Sequence, residues 1–506
     1  MACPFVERHQ TDVAGVVSCF DRVVLTGFLP DIGHSRAMES WLRIHQVRLA
    51  DYPRWAEPMR EEIRDNAMKV AAEAGVQIEF IRRLKAFRKE DRVKRVLEER
   101  GDAPGLVHIF SAMESCTSFR HWRNPKTGAT TLRPTSGKCL HYYFHFIDER
   151  FGLCYVRVPT RAPFRLQACF NGHNWLARRL QDAGVGCQLV DNAFLAIDDF
   201  EQAQALARDF DVRVLHRRLD EWARRFCPAA RHFPSGHHWS IMQAEYATDI
   251  LFHRQDRFQP LYDAMTRTAV HSVKADQVAT FLGRKLTKAY AGEAGNDFST
   301  RIHGTRIRHH MGPASIKLYD KFGIIARVEC TTNDASFFKL HRDVKQRDGT
   351  SAFKLAPLRK SIYSLRDLAT CMTNANRRYL AFLAAIDNPE TSWKDIDCIG
   401  RPARDNKRSL RGFNLMTDSD LKLFLVLARR EWTISGLRAA NLRQHLPHCS
   451  AAQISRLLKR LRAHGLIKKV GRTYKYFLTK LGQRAIIAVL HLRETILRKG
   501  LAPVTP

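Results

Sequence analysis

The chain has 506 residues, too many for one ordinary core, and predicts two to four domains. Lysine and arginine number 83 against 51 aspartates and glutamates, a formal charge of +32 with a pI near 10.1. So large a surplus of one sign repels itself unless a polyanion shares it, and nucleic acid is the commonest such partner. With 45% hydrophobic residues, the chain is expected to fold rather than remain disordered.

The twelve cysteines are scattered, with no C-x-x-C pair. This is the pattern of buried thiols in a reducing compartment, not of a disulfide framework or a zinc ribbon. The start, MACPFVERHQTD, lacks a basic-then-apolar signal pattern, and no run reaches the roughly 18 apolar residues that span a bilayer. A soluble, cytoplasmic protein without membrane partners is expected.

VVSCFDRVVLTGFLP, from residue 16, reads as a strand ending near Gly27 and Pro30. Glu57 to Ala74 has the period of an amphipathic helix, Lys89 to Arg100 gives a second, highly charged one, and LVHIFSAME (106–114) another strand. These elements predict an α/β region over 1–135. HYYFHFIDERFGLCYVRV (141–158) follows as two β runs around a turn holding Gly152. Next comes a helix with Phe200, Ala203 and Leu206, which Asp198 or Asp199 can cap. A hairpin-containing α/β region is expected over 136–234.

A mixed-sheet region over 235–397 is the candidate for nucleic-acid processing. It contains WSIMQAEYATDILF, a helix near 258–270 and SIKLYDKFGIIARVECTTN (315–333). In the last stretch Ile316, Leu318, Ile324, Ala326 and Val328 share one apolar face. Lys317, Tyr319, Arg327 and Glu329 then share the other, around a turn at Asp320–Gly323. That polar face reads as a phosphate-binding and catalytic surface, with Lys317 and Arg327 on nucleic acid, Tyr319 as a reactive hydroxyl and Glu329 on a metal. It reads equally as a solvent-facing ladder of ion pairs. Glu245 and Asp249, four apart, face one way in helix or strand, and Asp249 joins Glu329 as a candidate Mg²⁺ ligand. His141 and His145 lie about 13 Å apart along a strand, too far to chelate one ion. Each histidine is expected to be a polar surface or phosphate-contacting group.

The run CIGRPARDNKRSLRGFN (398–414) is dense in cations, lacks apolar periodicity and is expected to be a basic linker. Residues 415–506 then offer helices near Asp420–Arg430 and Ser435–His445. A third begins at Ser450, with Gln453 placed for a capping box. Its buried stripe is Ile454, Leu457, Leu458 and Leu461, which turns Gln453, Ser455, Arg456, Lys459 and Arg460 outward, a face able to read base edges in a major groove. LIKKVGRTYKYFLT closes the order as a hairpin with Gly471-Arg472 at its tip. Between 401 and 480 the acids are Asp405, Asp418, Asp420 and Glu431, so the field there is almost purely positive.

This order, with LTKLG (478–482) leading into a last helix, resembles the MarR-type winged helix-turn-helix, although the wing reads GRTYK where many of those regulators carry an acid before the arginine. KLYDK followed by ARVE, with EYATDILF upstream, is similar to the Y-D/N-K turn and R-x-E strand of rolling-circle replication initiators. The His-hydrophobe-His pair of rolling-circle nickases is missing. The resemblances imply a multidomain α/β protein of mobile-element type. It would bind nucleic acid, DNA before RNA, through a winged helix, and its N-terminal body would act as a Mg²⁺-dependent nuclease or nickase. A MarR-type regulator without catalysis and an RNA-binding scaffold stay open, as does the oligomeric state.

Overall fold

In the computed structural model the chain is a mixed α/β protein. The structure describes residues 4–489 apart from 83–86, 287–293, 302–303, 347–348, 387–396, 406–407, 416, 430–431, 433–435 and 471–472. Two compact units share it. The first is Val17–Thr248 with Thr331–Thr373; the second is Met1–Val16, Asp249–Cys330 and Asn374–Pro506. No described helix is long and apolar enough to cross a membrane.

The first unit is organised on the Val13–Phe28 strand, whose near-continuous burial marks a strand covered on both faces. It pairs antiparallel with Leu166–Asn171, Leu25 lying opposite Ala168. The sheet continues through Gly152–Pro159, Thr130–Asp148 and Gly105–Arg123. The expected turn at Gly152 joins two of these strands. The helix Val212–Phe226 buries Leu215, Leu219, Trp222, Ala223 and Phe226, a helical stripe that meets Phe144 and Phe146. Buried Asp148 accepts from Trp222 Nε1 at 3.1 Å and Arg218 Nε at 2.9 Å, so the charge is compensated inside the core. The helix Phe200–Arg208 is capped by Asp199, whose carboxylate accepts from the Gln202 N–H.

In the second unit Ala294–Arg301, Gly304–Met311, Ala314–Lys321 and Ile325–Thr332 are successive neighbours, with His309 opposite Ile316 and Ile307 opposite Leu318. The hairpin turn places Phe322 and Gly323 at φ of 61° and 71°. Two successive positive values are the type I′ geometry that matches strand twist. The predicted apolar set 316, 318, 326 and 328 is buried. His309 is also buried: its Nδ1 lies 2.7 Å from Asn296 Oδ1 and its Nε2 2.9 Å from the Tyr379 hydroxyl.

Beyond residue 396 the helices Asp418–Leu427, Ala439–His445 and Ala451–Ala463 precede a short hairpin, Ile467–Lys469 with Tyr476–Leu478. The stretch expected as a linker is folded here instead. Ile399, Phe413 and Leu415 enter the same core as Phe424, Ile454, Leu458 and Leu461, and Ala403–Asp405 pairs with Arg408–Leu410. Its apolar residues are too widely spaced to show a period, yet they bury well. Gln483 Nε2 donates to the Ser272 carbonyl at 2.8 Å, tying helical residues 480–489 to the rest of the unit.

Candidate active site

Within the first unit, polar side chains converge on Asp21, a lone acid in the buried Val13–Phe28 strand. Gly172 makes this approach possible: a Cβ there would lie 2.0 Å from the Phe20 carbonyl oxygen. The Gly172–Asp182 helix therefore starts against the strand, its first N–H groups capped by Asn171. Buried His173, one residue into that helix, brings Nδ1 to 3.1 Å from Asp21 Oδ1, and Asn192 Nδ2 donates to the same oxygen at 2.6 Å. A carboxylate oxygen of Glu245, half-buried on the His238–Phe252 strand, lies within 4.8 Å of one of Asp21. Gln243 Nε2 donates to Glu245 Oε1 at 2.7 Å.

Two carboxylates this close repel unless a proton or a cation sits between them. They are hard oxygen donors, the ligand type that Mg²⁺ and Mn²⁺ take. The histidine and amide on Asp21 are the outer support that fixes a ligand's orientation. The residues present thus fit a divalent cation. Asp21, His173 and Asn192 were not singled out from sequence; the available signal was an aspartate interrupting VVSCFDRVVLTGF.

The predicted polar face of the second unit is not solvent-facing. Arg327 is fully buried and grips Asp249 with both arms of the fork, Nε to Oδ1 at 2.6 Å and the second nitrogen to Oδ2 at 2.6 Å. This overturns the expectation that Arg327 faces solvent. Asp249 engages both carboxylate oxygens with a guanidinium and so serves as the countercharge of a buried cation, and Arg327 has no surface on which to meet nucleic acid. Buried Glu329 accepts from Lys317 Nζ at 2.5 Å and from the Tyr319 hydroxyl. Lys317, Tyr319 and Glu329 are therefore brought together, as a half-buried charge network around an interior Glu329 and not an exposed ladder. Glu245 and Asp249, on one strand face about 13 Å apart, belong to separate polar clusters.

Four of the histidines expected at the surface are interior, while His238 is exposed. His141, His145, His237 and His309 are buried, and burial pushes His145 and His309 down to about 3 and His237 to about 4. At neutral pH they are uncharged and do not hold phosphate electrostatically. The cysteines among the described residues are free thiols.

On the Ala451–Ala463 helix, Ser450 accepts from the Gln453 N–H while Gln453 Oε1 accepts from the Ser450 N–H at 2.7 Å. Gln453, Ser455, Arg456 and Lys459 are exposed. Arg460, expected to face outward with them, is buried. It binds both Asp420 oxygens at 2.8 Å, donates to the carbonyls of Arg411 and Gly412, and lies 3.8 Å over the Phe413 ring. The folded 398–414 stretch covers it. Arg472, expected at the hairpin tip, lies outside the described residues.

No protein-family model matches the chain, and no curated protein does. Among solved structures, a rolling circle replication initiator protein from Geobacillus stearothermophilus aligns over 63% of this chain and 75% of its own, at 9% identity and a TM-score of 0.19.

Proposed function

We propose that this protein processes nucleic acid in a divalent-metal-dependent reaction. The observation that carries this reading is the supported carboxylate pair, Asp21 and Glu245, in a chain whose charge of +32 gathers polyanions. Asp21 and Glu245 would hold the ion, with His173 and Asn192 keeping Asp21 in place. When bound, the metal supplies Lewis-acid stabilisation of charge on a phosphoryl oxygen. In the second unit, and independently of that pair, Tyr319 is a candidate nucleophile. Its hydroxyl already donates to Glu329, the group that would take its proton as the phenolic oxygen bonds to phosphorus and the bond to the 3′-oxygen breaks, that oxygen leaving as a hydroxyl on taking a proton from water. The outcome is strand scission of a replication-initiator or mobile-element type. The helical face Gln453, Ser455, Arg456 and Lys459, together with Arg472, supplies winged-helix DNA binding.

That basic helical face also favours a second reading, a regulator that binds DNA without cutting it. One experiment separates the two: end-labelled single-stranded and hairpin DNA and RNA incubated with Mg²⁺ or Mn²⁺. Cleavage is expected from the parent and not from Glu245→Gln or Asp21→Asn, and both variants are expected to lose Mn²⁺ binding by calorimetry. A parent that cuts nothing with any divalent ion leaves the regulator.

A further inference from the structure

In the first unit, Lys339–Lys345 and Ser351–Pro357 form a two-stranded antiparallel ribbon, in register from Lys339 opposite Pro357 to Lys345 opposite Ser351. Directly opposed residues share a face. One face therefore carries Lys339, His341, Asp343 and Lys345 with Ser351, Phe353, Leu355 and Pro357, and every one of these eight is exposed. On the other face the apolar residues Leu340, Val344, Ala352 and Ala356 are partly or fully covered. The ribbon is thus packed on one side only.

The solvent side is not composed as a solvent side. Phe353 is 70% exposed and Leu355 54%. The Phe353 ring stacks on His341 across the diagonal, centroids 5.9 Å apart at 26°. Leu355 lies directly opposite His341, so the three form one continuous aromatic and apolar patch. Lys339 and Lys345 stand at its two ends, about 20 Å apart along the strand, and exposed Lys354 lies on the reverse face. Asp343 is the acid among the described ribbon residues. A second copy of the chain would set these lysines against like charges, whereas a polyanion neutralises them.

We propose that this ribbon face is a stacking platform for single-stranded nucleic acid. Unpaired bases lie on Phe353 and His341, Leu355 extends the apolar floor, and Lys339 and Lys345 hold the flanking phosphates. Aromatic faces accept every base, so the platform is sequence-tolerant and its strength depends on salt. This inference rests on the nucleic-acid reading above and adds to it a single-strand site away from the carboxylate pair.

The test is fluorescence anisotropy of a labelled 20-nucleotide single strand and of the matching duplex, with the full chain. Phe353→Ala is expected to weaken single-strand binding about 5- to 100-fold and duplex binding much less, with an unchanged urea midpoint because the ring is exposed. Phe353→Trp is expected to retain affinity, its indole fluorescence quenched as bases stack. In cleavage assays Phe353→Ala should raise KM and leave kcat near the parent. An unchanged dissociation constant in Phe353→Ala and in the Phe353→Ala/Leu355→Ala double variant overturns the inference, as does a parent that binds no single strand. A parent dimer that Phe353→Ala converts to monomer overturns it too. If single strands bind through Phe353 but nothing is cut with any metal, the platform stands and the cleavage reading falls. If Glu245→Gln abolishes cutting while Phe353→Ala changes neither affinity nor KM, the reverse holds.

Discussion

Replacing Asp249 by asparagine distinguishes a ligand from a structural partner. Arg327 is fully buried, and both its bonds to Asp249 are 2.6 Å, the short range of charge-assisted pairs. The amide keeps the shape but removes the countercharge and turns an N–H₂ group toward the guanidinium. Stranding a buried charge in this way costs about 3–5 kcal/mol. With a urea slope near 2 kcal/mol/M, the midpoint of the transition that unfolds the second unit should fall by about 1.5–2.5 M. The assay is urea unfolding followed by circular dichroism, run beside Mn²⁺ calorimetry. Asp249→Asn should lose stability and keep its metal; Glu245→Gln should do the opposite. The double variant Asp249→Leu/Arg327→Met should recover most of the loss, because a packed apolar pair replaces two desolvated ions. An Asp249→Asn protein within about 0.5 kcal/mol of the parent that no longer binds Mn²⁺ would refute this reasoning and return Asp249 to the ligands.

Tyr319→Phe should cost about 1 kcal/mol for one hydrogen bond and abolish any covalent protein–DNA adduct seen on a denaturing gel; an adduct that survives removes Tyr319 as nucleophile. On the C-terminal helix, Arg456→Ala should weaken specific DNA binding by about 1–3 kcal/mol without changing the melting temperature. Arg460→Ala should instead lower the melting temperature, because it strands buried Asp420. Burial pushes the Asp420 carboxyl up, but the Arg460 hydrogen bonds and the Asn414 N–H outweigh it and hold the group below its ordinary 3.8. That stabilisation is complete above about pH 4 and fades as the pH falls through the lower folded value, and Arg460→Met should remove this acid dependence. His145 acts at milder pH. Burial pushes it down to about 3, so the unfolded chain gains a proton below about 6.5 while the folded one stays neutral. This histidine alone should contribute a loss of about 2 kcal/mol between pH 7.5 and 5, with His237 and His309 adding their own. His145→Phe, between the rings of Phe110 and Tyr155, should make the loss smaller by about that amount, and an unchanged pH profile would contradict it.

Local signals carried well. The charged helix Lys89–Arg100 has the predicted bounds, Asp199 and Ser450 cap the helices that follow them, and Ile316, Leu318, Ala326 and Val328 are interior. Each of these depends on neighbours within a turn or a hairpin, where period and capping chemistry act. Alternation along Ile325–Thr332 told which residues share a face, but a period of two does not say whether the polar face is covered. Here all eight residues are buried, so the expected ladder is an interior charge network. Arg460 was hidden for a related reason: it flanks the helix's apolar stripe, and what buries it is Asp420 and the carbonyls of Arg411 and Gly412, about forty to fifty positions away. The carboxylate pair is the extreme case, since Asn192 stands 171 positions from Asp21. A buried polar group is tolerated only with its partners in place. An acid inside an apolar strand pattern therefore announces that partners exist while leaving their identity to the tertiary fold. Read by that rule, Asp21 was the most informative single residue in VVSCFDRVVLTGF, because nothing in its own strand could satisfy it.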